Sequence, residues 1–370
     1  MIIHLVEDSN IVDRIINDFE EVLPQKNVFI CFFSGTPKYV KKRACILFEG
    51  KDNSEIARVL KGDIDEVIIH FLSQVKINFV EKYIDISVPI TWIIWGGDLY
   101  NNLLTYHGYN IYYEPYYVGW RYFLFNFATN VLKIRILRNR IGFRTLQFVK
   151  CRVRYFVSDI AFNYFARIFP QYVNGEQVKG FFYYPIDNFI GKELIERSIK
   201  RNSILIGNSA SFSNNHVYSF EFLKRLNIGD KQVVVPLSYG GSDKYKRHVI
   251  KKGEEIWTKQ FKPILEFMPL NDYNELLADS SICIYGNWRP EAMGNILTVL
   301  GFGAKVFLSE KNPYFSWFNE KGFIVFSLEN ITQEQIDSPL LPSEIEHNQN
   351  LILKTFNKKA LNKAIKDIWG

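Results

Sequence analysis

The polar residues best suited to chemistry in this sequence follow apolar runs, where strands of a parallel sheet would end. One such segment, ILIGNSASFSNNH from Ile204 to His216, combines a glycine turn with asparagine and serine side chains. Free N–H groups at the start of a following helix favour anions such as phosphate, and Asn214 or Asn215 is a plausible N-cap. Ordinary turn and capping roles explain the same residues. The candidate ligand-binding residues here are Asn208, Ser209, Asn215 and His216.

The same layout, an apolar run followed by a polar turn and a predicted helix, occurs in three later segments: VVVPLSYGGSDKY, SICIYGNWRPEAMGN and LSEKNPYF. Glycines allow a backbone to approach a ligand closely. Arg289 could offset diphosphate charge, and Glu291 could hold ribose hydroxyls or, alternatively, only stabilise a helix dipole. Chance easily explains polar residues after one predicted strand, but it poorly explains their presence after all four. The further candidate substrate-binding residues are Tyr239, Gly240, Gly241, Arg289, Glu291, Gly294, Asn295, Lys311 and Asn312.

The first half of the chain offers a candidate catalytic carboxylate in the segment WIIWGGDLYN. Asp98 follows an apolar run and two glycines, and could be a general base for a hydroxyl nucleophile. The flanking Trp95 and Tyr100 could pack on sugar faces. His70 and Glu7, which also end apolar runs, are the rival candidates, and a purely structural Asp98 is the alternative.

Short β-rich runs alternate with helical patterns to position these residues. The runs IIHLV, VFICFF, CILFEG, EVIIHFL and ITWIIWGG predict strands in the first third, and six more follow Asn202. Such alternation predicts an α/β fold with doubly wound parallel sheets. Helices are predicted near 216–226, 243–259, 271–279, 290–301 and 313–319, and residues 346–370 predict one amphipathic helix.

Length and composition limit the classes of protein that this chain can belong to. A chain of 370 residues is too long for one core, so we expect a first domain over 1–198, a second over 199–345 and the helix 346–370. The four cysteines form no CxxC pair and indicate a reduced, cytoplasmic protein. We expect no signal peptide, no spanning helix, no metal and no cofactor.

The middle of the chain is basic, aromatic and free of acidic residues from Tyr116 to Ser158. Single-sign charge on an aromatic background favours an anionic membrane surface. Nucleic acid is the competing partner, because arginine and aromatic side chains also suit stacked bases, and a basic core helix pair is the third interpretation. We favour the membrane. The basic residues are Arg121, Lys133, Arg135, Arg138, Arg140, Arg144, Lys150, Arg152 and Arg154.

Several of these segments together resemble a known enzyme family. WGGDLY, ILIGNSASFSNNH, VPLSYGG, FMPLNDYNELLADSSICIY and KNPYFSW are similar to the glycosyltransferase family 56 enzymes. These are TDP-N-acetylfucosamine:lipid II N-acetylfucosaminyltransferases, also labelled 4-alpha-L-fucosyltransferases. The likeness runs from about Trp95 to Leu328. The segment NWRPEAMGN departs from the family and looks closer to the ribose-binding glutamate region of other GT-B transferases, although Val299 stands where those have a second glutamate.

The resemblance implies a GT-B architecture, in which two Rossmann-like domains face a cleft and the C-terminal domain holds the donor nucleotide. We expect the C-terminal helix to return to the first domain. The resemblance also implies a nucleotide-sugar donor, a polyprenyl-diphosphate-linked saccharide acceptor and a role in bacterial surface polysaccharide synthesis. The expected location is peripheral, at the cytoplasmic face of the inner membrane. A nucleotide-sugar epimerase and a membrane-bound polysaccharide-binding module are the alternatives, and the donor base and sugar stay open.

Overall fold

The computed structural model describes residues 1–9, 11–41, 45–49, 54–128, 142–158, 160–183, 185–188 and 202–370, with the backbone alone at 106, 121, 125 and 126. The chain divides into two compact units. Unit 1 comprises Met1–Tyr109, Ile134–Tyr183 and Lys359–Gly370, and unit 2 comprises Asn110–Lys133 and Tyr184–Lys358. The sequence predicted one passage near residue 198 and a return with the C-terminal helix, but it did not predict that Asn110–Lys133 belongs to unit 2.

Unit 1 is built on a seven-stranded, all-parallel sheet with the order β3-β2-β1-β4-β5-β6-β7. The strands are β1 Ile2–Glu7, β2 Asn27–Phe32, β3 Cys45–Phe48, β4 Glu66–His70, β5 Ile90–Ile93, β6 Val153–Val157 and β7 Glu176–Val178. The helices of this unit are Val12–Val22, Ser54–Val59, Gln74–Tyr83, Phe143–Arg152, Ala161–Ile168 and Lys358–Trp369. The strand order reverses direction between β1 and β4, where doubly wound sheets bind ligands.

Unit 2 repeats this plan with a six-stranded parallel sheet in the order β10-β9-β8-β11-β12-β13. The strands are β8 Ser203–Ile206, β9 Gln232–Pro236, β10 Phe261–Ile264, β11 Ser280–Tyr285, β12 Lys305–Leu308 and β13 Phe326–Ser327. The helices are Trp120–Asn126, His216–Leu223, Asp243–Trp257, Leu270–Ala278, Met293–Gly301, Pro313–Glu320, Gln333–Asp337 and Pro342–Thr355. The predicted α/β class with two doubly wound sheets is confirmed.

The central strands are apolar because helices cover both faces of each sheet. In β8, all four residues are buried, and the same holds for β5 and β12. This burial explains why continuous apolar runs, rather than alternating ones, marked the strands in the sequence. Within the described ranges, no helix has the length and apolar character needed to span a membrane.

The C-terminal segment is two helices, so the prediction of a single helix over 346–370 is wrong. The first helix ends at Thr355 because the Asn357 side-chain amide donates to the carbonyls of Leu353 and Lys354, at 2.7 and 3.2 Å. This interruption lets the last helix, Lys358–Trp369, join unit 1, as expected. Its Trp369 ring packs on Phe19 and Phe181.

Candidate functional site

The predicted ligand-binding loops of unit 2 meet along one edge of its sheet. The strands β9, β8, β11 and β12 are neighbours and parallel, so their carboxyl ends lie side by side. Backbone hydrogen bonds hold the following loops beside one another. Gly207 N donates to the Ile284 carbonyl at the end of β11 at 2.9 Å, Ala210 N donates to the Tyr239 carbonyl at 2.8 Å, and Ser309 N donates to the Tyr285 carbonyl at 3.2 Å. The four segments that the sequence singled out therefore form one continuous surface, which we call the unit 2 edge (residues 207–216, 237–242, 286–295 and 309–314).

The loop after β8 folds back on itself around Asn214. The Asn214 Oδ1 atom accepts a hydrogen bond from Asn208 N at 3.0 Å, and its amide donates to Ser209 Oγ at 3.3 Å. Gly207 adopts φ 71°, and a Cβ there would lie 2.7 Å from Asn214 Oδ1. Ser209 is buried inside this loop, so it shapes the loop, whereas Asn208 is only half-buried.

Asn215 has a role that the sequence did not predict. It precedes the helix His216–Leu223 in a left-handed conformation, and its side chain makes no capping hydrogen bond. Instead Asn215 Oδ1 accepts from Tyr113 N at 2.9 Å, while its amide donates to the carbonyls of Ile111 and Gly286. The predicted N-cap role is therefore wrong for the side chain of Asn215, which fastens residues 111–113 to the unit 2 edge.

His216 is a core residue of unit 2. Its ring is fully buried, and Nδ1 lies 3.0 Å from the Tyr245 hydroxyl. Burial lowers the pKa of His216 to about 3, so the imidazole is neutral at physiological pH. This geometry favours a structural role over contact with an anionic substrate.

The paired glycines after β9 allow two protein loops, rather than a loop and a ligand, to approach each other. Gly240 and Gly241 both have positive φ. A Cβ on Gly241 would lie 2.1 Å from the Ala210 carbonyl oxygen, and one on Gly240 would lie 3.0 Å from Ser211 Oγ. The predicted close approach is present, but its partner is the loop after β8. The neighbouring Tyr239 is exposed.

A compact ionic cluster forms around Glu291. Its Oε2 accepts from Ser213 Oγ at 2.6 Å and from Asn287 Nδ2 at 2.9 Å, and lies 3.1 Å from an Arg289 guanidinium nitrogen. Among the described residues, Glu291 Oε1 receives no hydrogen bond. The carboxylate therefore orients Arg289 and Asn287 and keeps one oxygen for a further donor such as a hydroxyl.

The helix after β11 starts later than the sequence predicted. It runs from Met293 to Gly301, after a left-handed Ala292, so the prediction that Pro290 and Glu291 open the helix is wrong. Glu291 consequently lies in a turn, where it can contact other loops. Gly294 and Asn295 form the first helical turn, and the Asn295 amide donates to the Tyr273 hydroxyl at 3.3 Å.

Lys311 and Asn312 follow β12 at the same edge. The Lys311 ammonium lies 3.8 Å from the centre of the Trp288 ring and 5.2 Å from that of Tyr218, a cation–π arrangement that fixes its position. Asn312 is buried and caps the next helix, its Oδ1 accepting from Tyr314 N at 2.9 Å. Both side chains are thus held at the unit 2 edge.

Buried polar atoms without hydrogen-bond partners concentrate at this edge. Buried donors and acceptors in native proteins are nearly always paired, so such a cluster indicates a place for a polar ligand. Donors and acceptors are both present, which suits a molecule carrying phosphate oxygens and hydroxyls. Among the described residues, such atoms at the edge include Asn208 Oδ1, His216 Nε2, Asn287 Oδ1, Arg289 Nε and Asn312 Nδ2, and Tyr285 Oη lies next to them at the end of β11.

Sequence reasoning missed several contributors to the unit 2 edge. The segment after Tyr109 belongs to unit 2, although it lies between two strands of unit 1. Its Tyr113 packs against Tyr218 and Trp288, and its Glu114 pairs with His248 at 3.0 Å. No local pattern announces such a docking, because its partners are more than a hundred residues away.

In unit 1, Asp98 is a buried anchor of the turn that follows β5. Its side chain is 2% exposed. Burial raises the pKa of the Asp98 carboxyl, and hydrogen bonds to its ionised form oppose that rise. One oxygen accepts from Leu72 N and Trp92 Nε1, at 3.0 and 2.8 Å. The other accepts from the backbone N–H groups of Trp95, Gly96 and Leu99, at 3.0–3.1 Å. Five donors occupy this carboxylate, so the geometry favours the structural alternative over a general base.

His70 is equally committed to the core of unit 1. The His4 ring lies between Asn27 and His70, at 3.0 and 3.1 Å, and His70 Nδ1 lies 2.7 Å from the Tyr183 hydroxyl. Since the Asn27 oxygen only accepts, His4 donates to it, His70 donates to His4, and Tyr183 donates to His70. Burial, with His4 and Lys76 nearby, holds the pKa of His70 well below its ordinary value. These hydrogen bonds occupy both ring nitrogens of His70 and leave neither for a substrate.

The aromatic residues beside Asp98 also differ in accessibility. Tyr100 is fully buried and packs on Tyr109 and Tyr164, so the prediction that it packs on a sugar is wrong. Trp95 is half-buried and donates from Nε1 to the Tyr183 hydroxyl at 2.7 Å. In the same turn, Gly96 has φ 101°, a conformation that glycine alone adopts easily.

The two doubly wound parallel sheets have the GT-B fold of known glycosyltransferases. Over 99% of both chains, the fold is similar to Anabaena HepE solved in complex with UDP (TM-score 0.66, 10% identity). A glycosyltransferase from Rickettsia africae is similar at TM-score 0.64 and 14% identity, covering 99% of this chain and 97% of that one. WaaG, a glycosyltransferase involved in lipopolysaccharide biosynthesis, is similar at TM-score 0.55 and 13% identity over the whole of both chains.

The family follows from the sequence itself. The model of the 4-alpha-L-fucosyltransferase family, glycosyl transferase group 56, matches residues 144–340, which is more than half of the chain. The chain belongs to this family and is a glycosyltransferase. The matched range includes the whole unit 2 edge, whereas the docked segment at Tyr113 lies outside the match.

Proposed function

We propose that this enzyme transfers a fucose-type deoxy sugar from a nucleotide-diphosphate donor to a polyprenyl-diphosphate-linked saccharide, in the synthesis of a bacterial surface polysaccharide. The observation that carries the donor half is the set of buried, unpartnered polar atoms at the unit 2 edge, together with the Arg289–Glu291 cluster. The family description supports the sugar class, and the UDP bound to HepE supports a nucleotide donor.

Arg289 and Lys311 supply the positive charge that a departing diphosphate needs. Glu291 and Ser213 hold the Arg289 guanidinium, and the Trp288 ring holds the Lys311 ammonium. Cations fixed in advance stabilise developing negative charge without reorganising during the reaction. In this proposal the acceptor oxygen bonds to the anomeric carbon while the bond from that carbon to the diphosphate oxygen breaks.

Replacing Glu291 by alanine should weaken nucleoside diphosphate binding at least tenfold. The change removes a carboxylate oxygen available to a ligand and releases Arg289 and Asn287, and a lost charge-assisted contact costs about 1.5–3 kcal/mol. Calorimetric titration measures the effect. The control is Glu320→Ala, at the exposed end of the helix Pro313–Glu320, which should bind nucleotide as the parent does. Equal affinity of Glu291→Ala and the parent would remove Glu291 from the donor site.

The membrane half of the proposal rests on the helix Trp120–Asn126 and the acid-free stretch around it. Trp120, Phe123, Leu124 and Phe127 share one helical face and are 68%, 45%, 51% and 45% exposed. An exposed apolar face within a sequence of nine basic and no acidic residues suits an anionic lipid interface. Lys133, Arg135, Arg138 and Arg140 lie outside the described residues, and Arg144 pairs with Glu81 at 2.5 Å.

Substituting serine for both Phe123 and Leu124 should weaken binding to phosphatidylglycerol-containing vesicles at least tenfold, because each apolar side chain contributes on the order of 1 kcal/mol when buried in lipid. Vesicle co-sedimentation provides the measurement. The matched control replaces the exposed Leu341 and Leu353 by serine, which should leave binding unchanged. Parent-like sedimentation of the Phe123/Leu124 variant would remove this helix from the membrane surface.

The proposed function is tested by a thermal-shift screen with UDP, GDP, TDP and CMP, followed by a transfer assay. The nucleotide that stabilises the protein identifies the donor base. Its fucose-type sugar conjugate should then release nucleoside diphosphate only when a polyprenyl-diphosphate saccharide is present. Release without an acceptor, or epimerisation of the donor, would favour the epimerase alternative, and no response to any nucleotide would favour a binding module.

A further inference from the structure

The carboxyl ends of the central strands of unit 1 hold four acidic or imidazole groups, and three of them are fully engaged. Asp98 accepts five hydrogen bonds, and His70 is bonded through both ring nitrogens. Asp8, which follows β1, accepts from the backbone N–H groups of 38–40. The fourth group, Glu7, is different.

Glu7 is the last residue of β1, at the point where the sheet reverses its strand order. Its side chain is 35% exposed, and its Oε1 lies 3.3 Å from Lys76 Nζ. Among the described residues, no donor bonds to Glu7 Oε2. The carboxylate is thus fixed through one oxygen and accessible through the other, which a proton acceptor requires.

Lys76, the partner of Glu7, is held in place from all sides. It is fully buried, and its ammonium also donates to the carbonyls of His70 and Phe71, at 2.5 and 2.9 Å. Burial lowers the pKa of Lys76 to about 8, and Glu7 opposes that change, so the group stays largely cationic at pH 7. Three acceptors around one ammonium fix its direction, and with it the position of the Glu7 carboxylate.

The turn that presents these carbonyls is strained. Phe71 has φ 68°, a conformation that is unusual for a bulky residue, and the two carbonyls that Lys76 binds flank its Cα. Leu72, the next residue, is fastened by Asp98. Backbone strain held by such contacts is typical of active sites. Here Asp98 and Lys76 both stabilise the turn beside Glu7.

We propose that Glu7 is the catalytic base of the transfer reaction and that Lys76 is its positioning residue, an inference that rests on the proposed function. As the acceptor oxygen forms its bond to the anomeric carbon, its proton moves to Glu7 Oε2. The electron pair of the breaking bond leaves with the nucleoside diphosphate. This single displacement inverts the configuration at the anomeric carbon.

Glu7→Gln tests the assignment, because glutamine keeps an oxygen for Lys76 and loses the basicity. Turnover should fall by roughly 10²- to 10⁴-fold, while donor affinity and the thermal midpoint stay near those of the parent. The matched control is Glu49→Gln, an exposed glutamate just after β3 of the same sheet, which should keep parental turnover. Product configuration, determined by NMR, should be inverted relative to the donor.

The outcomes separate this inference from the function on which it rests. An active parent with an equally active Glu7→Gln variant, or retention of configuration, would overturn the base assignment alone. An inactive parent would overturn the proposed function and the assignment together. If Glu7→Gln lowers the midpoint, Glu7→Asp decides: a stable Asp variant that recovers turnover supports the base, and equal losses in both variants overturn it.

Discussion

The Asp98→Asn variant should unfold at a midpoint about 10 °C below that of the parent, with about 3–5 kcal/mol less free energy of unfolding. Each Asp98 oxygen accepts at least two hydrogen bonds from buried donors. An asparagine amide places an NH₂ group against one of these sets whichever way it is turned. Unpaired buried donors on that scale are a recognised cause of large losses of stability.

Thermal unfolding monitored by circular dichroism, with single-turnover kinetics on the same protein, measures both possible effects of Asp98→Asn. The control is Asp85→Asn, which changes an exposed aspartate whose carboxylate, within the described ranges, accepts hydrogen bonds from Ser87 alone. That variant should melt close to the parent. A parent-like midpoint for Asp98→Asn, with turnover reduced a hundredfold or more, would restore the general-base role of Asp98 and remove Glu7 from it.

Stability should fall steeply as the pH drops below about 6.5, by about 4 kcal/mol between pH 7.5 and 5.5. Burial lowers the pKa of His4 and of His216 to about 3, and that of His70 lies well below its ordinary value. The unfolded chain therefore binds three protons near pH 6.5 that the native chain excludes. Below that pH, each of these three histidines lowers the free energy of unfolding by about 1.4 kcal/mol per pH unit.

Urea unfolding at the two pH values, followed separately for unit 1 and unit 2 where the transitions resolve, measures this loss. His216→Gln should remove about a third of the pH dependence. The same free energy of unfolding at pH 7.5 and 5.5 would contradict the neutral, buried state of these imidazoles.

The fold could be predicted closely because its signals are local. Parallel strands covered on both faces appear as continuous apolar runs, and the runs IIHLV, VFICFF and EVIIHFL match β1, β2 and β4 within a residue or two. The gathering of loops at the unit 2 edge followed from the same logic, since carboxyl ends of neighbouring parallel strands must lie together.

The roles of individual polar residues could not be predicted, because their partners are remote in sequence. The sequence motif around Asp98 is the same whether its carboxylate is available to a substrate or fully hydrogen-bonded within the protein. One of the donors to that carboxylate is the backbone N–H group of Leu72, which lies outside the motif. Asn215 looks like a helix cap until residues 111 and 113 are placed beside it. Glu7, by contrast, carried no motif, and its distinction lies in contacts with Lys76 that only the folded chain reveals.

The change from unit 1 to unit 2 near Tyr109 could not be predicted, for a related reason. Composition marked the basic stretch from Tyr116 as one segment, but the chain changes units near Tyr109. Nothing in the residues around 109 differs from an ordinary loop, since the change is specified by the aromatic contacts of Tyr113 and the pairing of Glu114 with His248. Such tertiary contacts lie beyond any local pattern.

Hydrogen–deuterium exchange with and without the nucleoside diphosphate that gives the largest thermal shift tests the central claim most directly. We predict slower exchange at saturating nucleotide in three loops of the unit 2 edge, 207–216, 286–295 and 309–314. Exchange in the strands of unit 1 should change little. Protection confined to unit 1, or no protection of the unit 2 edge at saturation, would contradict the assignment of this edge as the donor site.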